Sequence, residues 1–120
     1  MSKILVIEDE MTILENIAEA LELSGYDVLQ ASNGLMGIDL ALSQSPRLIL
    51  CDIMMDKADG FEVLSAVRAA EGMSATPFVF VSARSDNALL EQCRQMGVND
   101  FLSKPFTTDT LLAIVSKYLD

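Results

Sequence analysis

Two hydrophobic patterns alternate along this chain: short continuous apolar runs, and longer stretches in which apolar residues recur every three or four positions. The runs predict five strands, at Lys3–Ile7, Asp27–Ala31, Leu48–Asp52, Pro77–Val81 and Asp100–Leu102. The periodic stretches predict a helix after each. The first opens at Thr12, where Glu15 three residues on suggests a capping box, and it carries Leu14, Ile17, Ala18 and Leu21 before Gly25 stops it. A second, Leu35–Ser43, ends ahead of Pro46 because proline disfavours helix in the residue before it. Phe61, Leu64 and Val67 trace a third after Gly60. Ser85 or Asp86 caps a fourth that carries Leu89, Leu90, Cys93 and Met96 and ends at Gly97. Thr107 or Thr108 starts a fifth, with Leu111, Leu112, Val115 and Leu119 spaced to cover a sheet.

Near-continuous apolar strands between amphipathic helices call for a parallel sheet covered on both faces, an α/β doubly wound (βα)5 fold. With 120 residues and no linker-like or low-complexity tract, the expectation is one domain over residues 1–120. If the strands are parallel, their C-terminal ends share one edge, where open α/β sheets place their sites. Four of the five runs finish there in polar groups: Glu8-Asp9-Glu10, Asp52, Ser82 and, just after Phe101-Leu102, Lys104. Asp52 closes Leu48-Ile49-Leu50-Cys51 and reads as a nucleophile; a strand-terminal aspartate can also simply cap the turn that follows.

Composition narrows the possibilities. A net charge of −10 opposes direct contact with a nucleic-acid backbone and favours a basic protein surface or a metal cation as complement. The chain has no histidine, and Cys51 and Cys93 lack CxxC spacing, so they read as buried free thiols and not as zinc ligands. No apolar stretch approaches the ~20 residues that span a bilayer, and Met1-Ser2-Lys3 leads straight into a strand, so no membrane segment and a cytoplasmic location are expected.

Taken in order, Glu8-Asp9, Asp52-Ile53-Met54-Met55 with Asp59-Gly60, Val81-Ser82-Ala83 and Lys104-Pro105-Phe106 resemble the receiver domain of two-component response regulators, over essentially the whole chain. The resemblance implies strand order 2-1-3-4-5 and a phosphorylation-controlled switch, not a classical enzyme. It implies that Asp52 accepts a phosphoryl group from the phosphohistidine of a sensor kinase or phosphotransfer protein. Glu8, Asp9 and Asp52 repel one another, so a proton or divalent cation must offset them. The family pattern implies Mg2+, with Mn2+ a possible substitute, on Asp9, Asp52 and the Met54 main-chain carbonyl, with Glu8 acting through water. It also implies that Lys104 pairs with Asp52 and later with the phosphoryl group, and that Lys104-Pro105 is a cis peptide. Ser82 and Phe101 form the implied switch, acting on a surface made by the fourth helix, fifth strand and fifth helix to control an output domain or partner.

One position departs from the pattern: Asp56 stands where the family usually has proline, adding charge beside the metal loop. Met54 and Arg84 flank the path of an attacking water, and as a thioether and a guanidinium they suggest slow self-dephosphorylation. Three other readings are weighed. An aspartyl-phosphate phosphatase would want a second acid where Met54 stands; a flavin or nucleotide binder would want glycines in the acidic first loop; a pseudo-receiver would not keep every reactive position. No DNA-binding segment follows Asp120, which fits either a stand-alone receiver or one that precedes an effector. Lys117, the fifth helix's only cation, favours a monomer, with dimerisation possible on phosphorylation.

Overall fold

A computed structural model describes residues 3–119. Strands β1 (Lys3–Ile7), β2 (Asp27–Ala31), β3 (Leu48–Asp52), β4 (Phe78–Ser82) and β5 (Asp100–Ser103) alternate with helices α1 (Met11–Leu23), α2 (Gly34–Gln44), α3 (Gly60–Ala69), α4 (Asn87–Gln95) and α5 (Thr108–Leu119). The strands form one sheet, β2-β1-β3-β4-β5, in which every neighbouring pair is parallel. This is the expected doubly wound fold and strand order.

Side-chain alternation divides the interior into two cores. Leu5, Ile7, Ile49, Cys51, Phe78 and Phe80 face the side covered by α2, α3 and α4. Ile4, Val6, Leu48, Leu50, Val79 and Val81 face α1 and α5, which bring Leu14, Ile17, Leu21, Leu111 and Val115. Because both faces are covered, β3 and β4 are buried along their whole length, which is why they read as unbroken apolar runs. Cys51 and Cys93 are free and buried, as expected.

Helix boundaries show where local chemistry decided. The capping box expected at Thr12 and Glu15 is absent: α1 starts at Met11, its N-cap is Glu10 with no side-chain cap, and Thr12 lies inside the helix. The amide of Glu10 is instead taken by the Glu8 carboxylate at 3.2 Å, so the acidic cluster itself serves the start of the helix. The reciprocal capping box sits on α3, where Asp59 accepts from the Glu62 amide at 2.9 Å and Glu62 accepts from the Asp59 amide at 3.2 Å. Asn33 caps α2, Asp86 caps α4, and the Thr107 hydroxyl accepts from the Thr110 amide at the start of α5.

Candidate functional site

Each site residue sits where a strand runs out. The Ile7 and Cys51 positions are paired, as are Asp52 with Val81 and Ser82 with Ser103, so the last residues of β1, β3, β4 and β5 come level along one edge. Glu8 follows immediately on β1, held in line by its amide donating to the Ala31 carbonyl at 3.0 Å. Lys104 follows β5, its amide donating to the Ser82 carbonyl at 2.9 Å. The Lys104-Pro105 bond is cis.

Three carboxylates converge: oxygens of Glu8, Asp9 and Asp52 lie within 4.8 Å of one another. Two of these residues are deeply buried, Glu8 at 1% exposure and Asp52 at 8%, while Asp9 is exposed. The ammonium of Lys104 reaches both, donating to Glu8 Oε1 at 2.7 Å and to Asp52 Oδ2 at 3.3 Å. The other oxygen of Asp52, Oδ1, accepts from the Ile53 amide at 2.8 Å. The pairing expected between Lys104 and Asp52 is therefore present, but the shorter contact is with Glu8, which sequence reasoning had placed only at a bound water. Its legible signal was position: Glu8 directly abuts a four-residue apolar run and so is drawn into the interior with it.

Burial and the shared cation act on the two partners with different outcomes. Burial, aided by the Asp52 charge, pushes the Glu8 carboxyl up to about 6 against the pull of Lys104. Burial would lower Lys104, but the hydrogen bond to Glu8 and the charges of Asp52 and Glu8 outweigh it and hold the ammonium above its ordinary range. Cys51 Sγ contacts the Asp52 carbonyl at 3.1 Å, and its thiol is driven well up by burial and then by the Asp52 and Glu8 charges, so it is unreactive beside the site.

The loop from β3 to α3 is held by two close approaches that admit only glycine. A Cβ on Gly60 would sit 2.5 Å from the Asp52 carbonyl oxygen, and one on Gly34 at the start of α2 would sit 1.9 Å from that of Ala58. The Gly60 amide donates to the Ile53 carbonyl at 2.7 Å, closing the loop that carries Met54 and Asp56. Asp56 is exposed and its carbonyl accepts from the Ala58 amide at 2.9 Å; between them Lys57 adopts φ of 73°. Met54 is 64% exposed.

Ser82 is buried, and its hydroxyl accepts from the Arg84 amide at 3.1 Å. Met54, Ser82 and Arg84 line one small hollow of about 130 Å3 together with Ile53, the residue after Asp52. Phe101 pairs with Phe80 across β4 and β5 and packs, half-buried, against the α2–α4 core. The structure thus gathers the carboxylates of Glu8, Asp9 and Asp52, bonds Lys104 to Glu8 and Asp52, and sets Ser82, Met54 and Arg84 together around one hollow.

The response regulator receiver domain profile matches residues 4–116. This chain belongs to that family. It is 36% identical over 119 residues to the DNA-binding dual master transcriptional regulator RpaA of Synechocystis sp., an alignment covering 99% of this chain and 49% of that protein. The chain therefore spans about half the length of that relative. Among solved structures, chemotaxis protein CheY4 of Vibrio cholerae superposes with a TM-score of 0.94 at 27% identity, covering 99% of each chain. The receiver domain of a Pseudomonas aeruginosa sensor histidine kinase, solved with a magnesium ion coordinated in its active-site cleft, superposes with a TM-score of 0.90 at 29% identity, covering 98% of this chain and 96% of that one. Receiver domains are phosphorylation-controlled switches of two-component signalling. Among the described residues no helix is long and apolar enough to cross a membrane.

Proposed function

We propose that Asp52 is the phosphoacceptor of a histidine-to-aspartate phosphorelay. The observation that carries the reading is the charge count at the sheet edge: three carboxylates against one ammonium leave two negative charges, the complement of one divalent cation. Carboxylate and carbonyl oxygens are the donors that Mg2+ prefers, and Mn2+ can substitute. Asp9, Asp52 and the Met54 carbonyl would hold the ion, with Glu8 acting through a water. When bound, the ion supplies charge neutralisation and alignment of the transferring group. The likeness to a receiver that holds magnesium in its cleft supports the same assignment.

Asp52 Oδ2 attacks the phosphorus of a phosphohistidine; an O–P bond forms as the N–P bond breaks, and the electron pair leaves with the donor's imidazole nitrogen. Lys104, already 3.3 Å from Asp52, is placed to follow the charge onto a phosphoryl oxygen. The Ser82 hydroxyl donates to another, and Phe101 turns into the space that this movement clears. The result biases the α4–β5–α5 surface, through which an output domain or separate effector is controlled. Met54 and Arg84 shield the acyl phosphate without acting as bases, so self-dephosphorylation is slow. The domain spans the whole of residues 1–120, acts in the cytoplasm, where ATP-driven kinases work, is a monomer before phosphorylation, and does not itself contact nucleic acid.

The phosphodonor approaches along a groove of about 720 Å3 between α1 and α5 that ends at Lys104. Ile13, Ala20, Leu23, Phe106 and Leu112 line it together with Glu19. No lysine or arginine occurs between Lys3 and Arg47, so the α1 side of the groove favours a basic partner surface.

Intact mass after incubation with acetyl phosphate tests the assignment. A gain of one phosphoryl group is expected with Mg2+, none after chelation, and none in Asp52→Asn under either condition. A gain that survives in Asp52→Asn would place the acceptor elsewhere.

A further inference from the structure

From Ser82 a chain of contacts leads out of the site to the first turn of α4. The Ser82 hydroxyl accepts from the Arg84 amide. The Arg84 guanidinium then donates from Nε and Nη2 to Asp86 Oδ1, at 3.2 and 3.0 Å. Asp86 is the N-cap of α4, and its second oxygen, Oδ2, accepts from the Leu89 amide at 3.3 Å. One carboxylate therefore holds the arginine with one oxygen and the helix with the other.

The arginine so held is the one cation lining the hollow that it shares with Ile53, Met54 and Ser82. A phosphoryl group on Asp52 would offer it a stronger partner, with close to two negative charges and three acceptor oxygens against one charge on Asp86. The existing pair is weakly held, since both side chains are about half exposed, at 58% and 49%. Arg84 shares the hollow with Ile53, which follows Asp52 in the chain, and with Ser82, which follows Val81, the strand partner of Asp52, and charge supplies the direction of exchange.

Accordingly, resting on the assignment of Asp52 as phosphoacceptor, we propose that Asp86 is a positioning residue for the phosphoryl site: it withholds the Arg84 guanidinium until a phosphoryl group competes for it. When Arg84 leaves, the Asp86 carboxylate loses the partner that fixes its orientation and the first turn of α4 loosens. Phosphoryl occupancy is thereby tied to the stability of one helix end by a single shared side chain.

A double-mutant cycle tests this, with beryllofluoride in saturating Mg2+ as phosphoryl mimic and amide NMR as readout. Asp86→Asn keeps a capping oxygen but drops the charge, and is expected to tighten beryllofluoride binding by about 1.4- to 5-fold, the range an exposed ion pair supplies. In an Arg84→Ala background the same substitution is expected to do distinctly less. Leu89 amide exchange is expected to quicken on saturation of the wild type and to be unresponsive in Arg84→Ala. Equal effects of Asp86→Asn in the two backgrounds would mean that Asp86 acts only as a nearby charge, and would overturn the inference. So would a Leu89 amide that ignores the mimic in wild type. A wild-type protein that binds no beryllofluoride at all would instead overturn the assignment of Asp52, and the inference with it.

Discussion

At the N-terminal end of the sheet, Arg68 of α3 donates to the Thr76 carbonyl at 2.7 Å, the Gly97 carbonyl at 3.3 Å and Asn99 Oδ1 at 2.8 Å. Asp100 beside it accepts from Lys117 and lies within reach of Tyr118. Arg68 and Asp100 thus each have partners of their own. At the C-terminal end, Lys104 alone is divided between Glu8 and Asp52, with Asp9 close by. The fold can satisfy polar groups at its strand ends, and at one end it leaves two negative charges over. A surplus that costs stability is retained where a divalent cation and a phosphoryl group would be handled. Burial points the same way: the buried polar or charged residues Glu8, Asp52 and Ser82 all lie at the C-terminal end, while Arg68 and Asp100 are only half-buried.

The sharpest way to break this comparison is to remove the shared cation. Lys104→Met leaves Glu8 and Asp52 buried without a counter-charge and is expected to destabilise the protein by about 3 kcal/mol near pH 8 in urea unfolding with metal chelated. Added Mg2+ should restore part of the loss, because it supplies the missing positive charge to folded protein only. A loss that Mg2+ does not touch would mean that Lys104 acts through packing and that the charge count is irrelevant.

Glu8→Gln should act with the opposite sign. The carboxyl rises from its ordinary 4.5 to about 6 on folding, so the folded state prefers it protonated and its ionised form costs up to about 2 kcal/mol above pH 6. In chelator at pH 7.5 the variant is therefore expected to be more stable than wild type. The difference should shrink as pH falls below 6 and vanish below about 4.5, where Glu8 is protonated in both folded and unfolded chains. The same change should weaken Mg2+ binding, measured by calorimetric titration. A variant less stable than wild type at pH 7.5 would show that the bond to Lys104 outweighs burial.

Much of this contrast was open to sequence reasoning, for reasons that particular residues make plain. Unbroken runs such as Phe78–Val81 reveal strands buried on both faces, and parallel strands fix which polar residues share an edge, so the sequence alone gathers Glu8, Asp9, Asp52, Ser82 and Lys104. Strand order and the cis peptide came through family resemblance, because neither leaves a periodicity to read. What escaped was partner choice. Nothing local indicates that Lys104 lies nearer to Glu8, 96 positions away, than to Asp52. The spacing of Thr12 and Glu15 suggests a capping box that Asp59 and Glu62, with the same spacing, in fact form; α1 begins one residue before Thr12, with Glu10 as N-cap, so Thr12 lies inside the helix. The Arg84–Asp86 clip depends on a turn geometry that its intervening Ser85 does not announce.

The smallest expected effect comes from the balanced end, and it sharpens the comparison by its sign. The Tyr118 hydroxyl lies 2.9 Å from the Asn99 carbonyl and 3.0 Å from Asp100 Oδ2, its one proton shared between them. Burial would raise the Asp100 carboxyl, but the Phe101 amide, Lys117 and Tyr118 together hold it below the ordinary aspartate value of 3.8. A carboxyl depressed on folding contributes stability that is present above its unfolded value and is lost as pH falls through its folded one. Tyr118→Phe should therefore cost about 1 kcal/mol at pH 7, with a cost that declines only below about pH 4. Glu8→Gln gains stability at neutral pH and Tyr118→Phe loses it, although each makes a side chain near the end of a strand or helix less polar. Phosphorylation by acetyl phosphate should proceed unchanged in Tyr118→Phe. If it slowed as it would on losing Lys104, the two ends would be one coupled network, and the division between a balanced scaffold and an unbalanced site would fail.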